Sequence, residues 1–385
     1  MGSFFIGDYM DFDFNSNFYF DDTFYMKRAI DLAKKGIGNT KTNPLVGCVI
    51  VKNDEIIGEG YHRRFGENHA EINAILNAKE RGYGLEGATL YVNLEPCSHF
   101  GKTPPCANRI VKEKIKRVVI GTLDPFPKVA GRGVEIFEKN NISVTEGILE
   151  NECLLLNERF FIYIKKNRPY VVLKSAMTID GKIATSTGQS KWITSEYSRR
   201  FSHELRGKSD AVMVGINTVL SDNSTLNVRY GEYKNNPIRI IVDSKLRISE
   251  NANALKDDLD SISIIATTKD YDKANYERLK NKKNVEILIC EDKNGQVDLK
   301  DAMQRLKKFD ISSILLEGGA TLNASMLKEN MVDKFYFFIA PMIIGSTGLS
   351  AIGDLKLEKL SDSIKISDIK VETLFGDILV TGRCD

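Results

Sequence analysis

Apolar residues along this chain recur with two periods, and the two periods alternate. Tyr25, Met26, Ala29, Ile30 and Ala33 stand at helical spacing. They predict a helix from Asp22-Thr23 to about Lys35, capped by Thr23 and ended by Gly36. The run Val46-Gly47-Cys48-Val49-Ile50-Val51 reads as a buried strand, Asn53-Asp54 as a turn, and Glu55 to Gly60 as the returning strand of a hairpin. A second helix holds His69 and Glu71 in its first turn, buries Ile72, Ile75 and Leu76, and ends at Gly82. Thr89 to Leu94 is the next strand. Pro104-Pro105 then starts a helix with Cys106 in its first turn, where a proline gives up no hydrogen bond. Arg117 to Thr122 is one more strand, and Val144 to Gly147 lies near the end of this half.

The second half repeats the alternation. Gly147 to Asn167 reads as one connecting helix anchored by Leu154, Leu155, Phe160 and Phe161. Strands follow at Tyr170–Ala176, Ala211–Val214, Ile238–Val242, Ile262–Ala266, Val285–Ile289, Ile311–Leu316 and Lys334–Ala340, with helical segments between most of them. Strands alternating with helices predict an α/β fold in both halves.

A length of 385 residues suits two domains. The expected division is an N-terminal extension over 1–22, a first domain over 23–167 and a second over 168–385, without a long flexible linker. The extension holds five aspartates, no lysine or arginine, and many aromatics, including Phe4, Phe5, Tyr9 and Phe12, with no sustained period. It reads as a packing arm or an over-long gene start and is assigned no chemistry. A net charge of +2 gives no electrostatic case for nucleic acid. Six sparse cysteines argue against a disulfide framework. No run of about 18 apolar residues and no basic leader is present, so a soluble cytoplasmic protein without a membrane partner is expected.

The chemistry gathers between His69 and Cys106. His69-Ala70-Glu71 is followed by Glu95-Pro96-Cys97-Ser98-His99-Phe100-Gly101-Lys102-Thr103-Pro104-Pro105-Cys106. One imidazole and two thiols suit zinc, and three protein ligands leave a fourth tetrahedral position open for catalysis. Glu71, two residues past His69, is placed to reach a water there and shuttle its proton. Zinc nucleobase deaminases carry H-x-E followed by P-C-x-x-C. Here eight residues, not two, separate the cysteines, so the ligands flank a loop. The bland alternative is two buried cysteines and a surface histidine that never meet. His99 reads as a solvated or substrate-facing group.

In the second half no G-x-G-x-x-G appears. Leu315-Leu316-Glu317-Gly318-Gly319-Ala320-Thr321 is instead a strand, two glycines and a helix, a turn that can bring backbone N–H groups to a phosphate. Gly345-Ser346-Thr347-Gly348 is a weaker signal of the same kind.

Several stretches together resemble the riboflavin-biosynthesis deaminase–reductase family (RibD) over residues 23–385. In the first half they are Thr42-Asn43-Pro44-Leu45-Val46-Gly47, His69-Ala70-Glu71, Glu95 to Cys106, Asp124-Pro125 and Val129-Ala130-Gly131-Arg132-Gly133. In the second half they are Lys174 to Ala184, Ser190-Lys191-Trp192-Ile193-Thr194, His203-Glu204-Leu205-Arg206 and Glu317-Gly318-Gly319. The spacing of the two cysteines is that family's own. The resemblance implies a cytidine-deaminase-like α/β/α domain followed by a dihydrofolate-reductase-like α/β domain. It also implies two consecutive steps. A diamino-hydroxy-pyrimidinone bearing a ribosylamino 5-phosphate loses a ring amine as ammonia, and NADPH then reduces the ribosyl group to a ribityl chain.

Carried over by position, His69, Cys97 and Cys106 resemble the ligands of one zinc per chain, and Glu71 the proton shuttle. Asn43, His62, Lys102 and Asp124 resemble substrate contacts of the deaminase. Ser190, Arg206, Leu226, Arg229 and Glu317 resemble those of the reductase, the arginines facing the 5-phosphate with their planar forks. Met177, Trp192, Thr218, Asp222, Ser244 and Gly319 resemble the NADPH contacts. Lys174 and Asp222 would stabilise the opened imine or handle its proton, with a buried ion pair between them as the plain alternative. A buried core position is the plain alternative for Trp192. Phe126, Ser224 and Asn227 depart from the family pattern. The resemblance further implies a homo-oligomer and a small-molecule substrate. The competing readings are a nucleic-acid base deaminase with an accessory domain, and a structural zinc joined to a nucleotide-sensing module.

Overall fold

The computed structural model describes residues 21–98, 104–126, 130–231, 233, 236–256 and 260–384. The backbone forms two compact units. Of the described residues, one takes those up to Lys35 together with those of Val46–Tyr61 and Asn68–Cys153; the other takes Gly36–Leu45, His62–Glu67 and those from Leu154 on.

The first unit runs α1 (Asp22–Lys34), β1 (Gly47–Lys52), β2 (Glu55–Tyr61), α2 (Ala70–Glu80), β3 (Thr89–Leu94), α3 (Cys106–Lys112), β4 (Arg117–Thr122), α4 (Arg132–Lys139) and β5 (Ser143–Glu146), and leads into α5 (Glu150–Leu156). Its five strands lie in the order β2-β1-β3-β4-β5. The hairpin and β3 are antiparallel, whereas β3, β4 and β5 are parallel. Asp21, not Thr23, caps α1: its Oδ1 accepts the Phe24 N–H at 3.0 Å. A carboxylate also answers the positive end of the helix, which a hydroxyl does less well.

Cys48, Ile50, Leu90, Val92, Val118 and Ile120 supply one face of this sheet. Ala70, Ala74 and Ile75 of α2, Ile110 of α3 and Phe137 of α4 cover it. Burying each large side chain contributes roughly 1.5–3 kcal/mol. A Cβ on Gly60 would stand 2.5 Å from the Ala70 carbonyl and 2.3 Å from the Ala74 nitrogen. The bare strand therefore lets α2 lie directly on it, which fixes the first helical turn, where Glu71 stands.

The second unit continues with α6 (Glu158–Lys165), β6 (Tyr170–Thr178), β7 (Lys182–Ala184), α7 (Glu196–Gly207), β8 (Ala211–Gly215), α8 (Ile216–Asp222), β9 (Ile238–Val242), β10 (Ser263–Thr267), α9 (Lys273–Leu279) and β11 (Val285–Ile289). It ends with β12 (Asp292–Lys293), β13 (Gln296–Val297), α10 (Leu299–Leu306), β14 (Ser313–Leu316), α11 (Ala320–Lys328), β15 (Lys334–Ala340), β16 (Leu349–Ser350), β17 (Ile366–Leu374) and β18 (Asp377–Cys384). Nine strands form one sheet in the order β11-β10-β9-β8-β14-β6-β15-β18-β17. It is parallel from β11 to β15, and β18 and β17 close it as an antiparallel hairpin. The parallel strands are apolar on both faces because both are covered. Leu173, Met213, Ile240, Ile264 and Ile314 meet Met303, Leu306 and Met326 on one side, while Val212, Val214, Ile241 and Ile265 meet Leu279 on the other.

The predicted connecting helix is two helices, α5 and α6. Asn157 separates them, and its amide is taken by the Leu45 main chain, accepting from the N–H at 2.8 Å and donating to the carbonyl at 2.9 Å. Both units are α/β, as the alternating periods predict. Among the described residues no helix is long and apolar enough to cross a membrane.

Candidate active sites

Two clusters of chemistry-bearing side chains stand out, one in each unit. In the first, His69 precedes α2 at its N-cap, Cys106 opens α3, and Cys97 follows the end of β3. The three ligand atoms lie within 4.8 Å of one another. His69 Nδ1 is 3.6 Å from Cys97 Sγ and 3.4 Å from Cys106 Sγ. Two bonds from α3 hold the turn: the Cys106 N–H reaches Cys97 Sγ at 3.3 Å and the Ala107 N–H reaches the Cys97 carbonyl at 3.1 Å. The histidine and the cysteines thus meet, and the cluster could hold a metal ion. Glu71 is buried beside them, within hydrogen-bonding reach of Cys106.

The three groups perturb one another strongly. The Cys106 thiol beside it and the His69 ring pull Cys97 down to about 4, despite burial. The hydrogen bond to Cys97 pushes His69 up to about 9. Cys106 moves the other way, raised by Cys97 and by burial, so the second thiol gives up its proton only to a further positive charge. Burial raises Glu71.

Of the expected substrate contacts of this half, Asn43 Nδ2 and His62 Nε2 lie 3.0 Å apart in the second unit. Lys102 and His99 fall outside the described residues. Asp124 is nearly buried just past β4; burial pushes it up to about 6, against the Phe126 N–H that it accepts at 2.7 Å. Phe126, a departure from the family pattern, therefore contributes its backbone to Asp124. One residue that sequence reading left without a role is Glu95. Its buried carboxylate accepts three backbone N–H groups, from Asp124 at 3.2 Å, Gly131 at 3.0 Å and Gly133 at 2.9 Å.

The second cluster lies where β6, β8 and β14 end side by side, a usual place for ligands in such sheets. Glu317 follows β14 and meets Arg206 of α7 in a bidentate pair, Nε–Oε1 2.9 Å and Nη2–Oε2 2.6 Å. Both side chains are mostly buried, at 12% and 10% exposure. Burial would raise Glu317, but Arg206 and Lys174 outweigh it and hold the carboxyl down at about 2. Burial pushes Lys174 down, with Glu317 opposing. Its ammonium lies 5.9 Å from the Phe338 ring centre and makes no hydrogen bond or ion pair among the described residues.

The ion pair suggested between Lys174 and Asp222 is not what forms. Asp222 is exposed at the end of α8, and the carboxylate that acts on Lys174 is Glu317. Arg206, expected to face a phosphate, turns its fork to Glu317 and gives Nη1 to the Asn227 carbonyl at 3.0 Å. Arg229 is exposed and has no carboxylate partner among the described residues. Its backbone N–H and Nη2 lie 3.2 Å and 3.4 Å from the two ring nitrogens of His203. Sequence reading passed over His203 as a site residue, although it stands one helical turn before Arg206 in a stretch already singled out. Burial, then Arg206 and Arg229, hold His203 down at about 4.

The remaining expected residues divide. Trp192 is 66% exposed, which excludes the core alternative, and the Arg199 guanidinium lies 4.4 Å from its ring centre. Leu226 has its side chain in the core and a φ of 55°, so only its main chain is free for a ligand. The Ser244 hydroxyl accepts the Val297 N–H at 3.0 Å and keeps its own proton to donate. Ser190 is half-buried, and Met177 is half-buried near the end of β6. Gly319 is the N-cap of α11, where no side chain caps the helix. A Cβ there would touch Thr218 Oγ1 at 3.4 Å.

Comparison with known proteins covers both units. Residues 169–380 match the family described as RibD C-terminal domain, and residues 20–122 match the cytidine and deoxycytidylate deaminase zinc-binding region. The chain is 45% identical over 360 residues to a riboflavin biosynthesis protein RibD of Actinobacillus pleuropneumoniae, covering 93% of this chain and 94% of that one. It is 46% identical over 359 residues to the protein of that name from Aquifex aeolicus, covering 93% and 97%. Among solved structures, a Thermotoga maritima diaminohydroxyphosphoribosylaminopyrimidine deaminase/5-amino-6-(5-phosphoribosylamino)uracil reductase is similar at a TM-score of 0.82 and 39% identity, covering 94% of this chain and 99% of that one.

Proposed function

The chain belongs to the RibD family of bifunctional riboflavin-biosynthesis deaminase–reductases, and from that premise we propose which of its residues carry the two reactions and with which cofactors. The protein is an enzyme of riboflavin biosynthesis with a hydrolytic deaminase and a reductase activity. Its substrate is a diamino-hydroxy-pyrimidinone carrying a ribosylamino 5-phosphate, which is deaminated and then reduced to the ribityl compound.

The deaminase reading rests on the trio of His69, Cys97 and Cys106 beside Glu71. Ligands about 2.3 Å (sulfur) and about 2.0 Å (nitrogen) from a tetrahedral zinc lie roughly 3.6 Å apart. The sulfur–nitrogen separations of 3.6 and 3.4 Å fit that geometry. These residues would hold one zinc per chain, which supplies Lewis-acid activation of the attacking water. Glu71 carries the proton from that water to the departing amine. Asn43, His62, Lys102 and Asp124 bind the substrate.

For the reductase, the uncapped start of α11 at Gly319, bounded by Thr218, fits a phosphate of NADPH. Met177, Trp192, Thr218, Asp222, Ser244 and Gly319 would hold the cofactor, which supplies the hydride to the sugar C1 carbon. Lys174, facing Glu317, gives a proton to the opening sugar. Arg229 faces the 5-phosphate, and Ser190, Arg206, the Leu226 main chain and Glu317 complete the substrate side. None of the six cysteines is in a disulfide, which suits a reducing, cytoplasmic setting.

Metal analysis of the purified protein is expected to return one zinc per chain. Cys106→Ser is expected to lose the metal and ammonia release together while still oxidising NADPH with pre-deaminated substrate. A zinc-free, fully active deaminase would sink the metal reading.

The homo-oligomer rests on β17, an edge strand exposed along most of its length that shows Ile366, Ile369 and Val371 to solvent. Such an edge is a ready-made template for pairing with another chain, and a second copy of this chain is the partner proposed for it. Sedimentation is expected to show a dimer or larger species for the native protein and a monomer for Val371→Asp. Identical monomers in both would exclude this interface.

A further inference from the structure

We propose that Glu95 is a positioning residue of the deaminase: through three main-chain bonds it sets Asp124 in place near Cys97. The proposal rests on the reading of Asp124 as a substrate contact and adds what holds it there.

Glu95 is 3% exposed, and its carboxylate faces backbone donors rather than a cation. Oε2 accepts from Asp124 and Gly131, and Oε1 accepts from Gly133. The two ends of the stretch from Asp124 to Gly133 are thereby drawn onto one side chain. Gly131 is the N-cap of α4, has a φ of 74°, and offers no side chain to cap the helix. Glu95, reaching from the end of β3, takes that role with a full negative charge at the positive end of α4. A carboxylate with four lone-pair directions can serve three donors converging from one side, which a neutral amide cannot.

The main chain makes the link to the metal ligands short. Glu95 itself is tied to β4 by its N–H on the Thr122 carbonyl at 3.0 Å, and only Pro96 separates it from Cys97. Asp124 is two residues past Thr122. Glu95 thus stands at the point where the exits of β3 and β4 part, one leading to a metal ligand and the other to Asp124. The packing leaves no slack: a Cβ on Gly133 would come 2.7 Å from the Pro96 carbonyl and 3.0 Å from Glu95 Oε1. Among the described residues Glu95 has no positively charged partner, so a surface ion pair does not explain its burial. A plain helix cap would explain the bonds to Gly131 and Gly133, but not the one to Asp124.

The test uses the full-length, zinc-loaded enzyme and three variants, Glu95→Gln, Gly133→Ala and Asp124→Asn. Gln puts an NH2 group against backbone donors, and Ala pushes α4 off the carboxylate by a steric route. Zinc content and thermal unfolding report on folding of the first unit, and reduction of pre-deaminated substrate on that of the second. Expected for Glu95→Gln and Gly133→Ala is a rise of about 10–100-fold in the deamination KM, the usual range for partners that orient an active group. The same rise is expected for Asp124→Asn, with kcat falling less than KM rises, zinc near one per chain and reduction intact. If Asp124→Asn raises KM and the other two do not, the role of Glu95 is overturned while Asp124 stands. If Asp124→Asn has no effect, the reading of Asp124 fails and the proposal with it. Loss of zinc from Glu95→Gln would make Glu95 a support of the metal ligands instead, and would also overturn the proposal. Should Glu95→Gln lose both activities by unfolding, Gly133→Ala decides.

Discussion

Glu71→Gln is expected to stop ammonia release and leave the rest of the enzyme working. Glu71 is buried in the first turn of α2, two residues past His69 and within reach of Cys106. Hydrolysis at the ring needs a proton taken from the attacking water and another given to the leaving amine. One carboxylate at this place can do both, and the glutamine amide, of the same shape, can do neither. Positioned acid–base groups contribute about 10²–10⁴-fold, so ammonia release should fall at least by the lower of these. Zinc content should not change, because His69, Cys97 and Cys106 are intact. Reduction of pre-deaminated substrate should also persist. With undeaminated substrate, NADPH consumption should therefore vanish, since nothing reaches the second site. A variant that still releases ammonia at the native rate would remove Glu71 from the chemistry. One that loses zinc would make its role structural.

The legible part of this protein was the part written in short-range chemistry. His69, Glu71, Cys97 and Cys106 declared themselves by side-chain type and spacing, and the metal-competent trio followed once two helix starts and a strand end met. The parallel strands were legible because burial on both faces leaves short continuous apolar runs, as at residues 211–214 and 314–316. The hairpin of β17 and β18 went unread for the opposite reason: β17 is exposed nearly throughout, and its short Ile369-Lys370-Val371-Glu372 alternation carries no apolar run to mark a buried strand. Other errors came from partners distant in sequence. Asn157 breaks the connecting helix because its amide belongs to Leu45. Lys174 answers to Glu317, not Asp222, because β6 and β14 are sheet neighbours. Glu95 shows the limit most plainly. Its partners are backbone N–H groups, which every residue but proline has, so no pattern of side chains could point to it.

Glu317→Gln is expected to cost both stability and reduction, and the two losses can be separated. Glu317 is the carboxylate that faces Arg206, Lys174 and His203, and its removal leaves the Arg206 guanidinium at 12% exposure without a counter-charge. Breaking a buried pair from one side costs about 3–5 kcal/mol, which thermal unfolding would register as a clearly lower Tm. Replacing both partners, as Arg206→Leu with Glu317→Leu, should restore much of that stability, since apolar residues of like volume often substitute for a buried pair. It should not restore reduction, because Lys174 also loses the carboxylate charge that opposes the downward pull of burial on it. A double variant that regained activity would show the pair to be scaffolding alone. The native pair also carries a pH signature. Glu317 is held at about 2 in the folded protein against its usual 4.5, so the unfolded chain binds more protons between those values. Its contribution is present in full above pH about 4.5 and is lost as the pH falls toward about 2. Acid titration of the native protein should therefore lose stability across that window more steeply than titration of the double variant, and parallel curves would remove Glu317 as the cause.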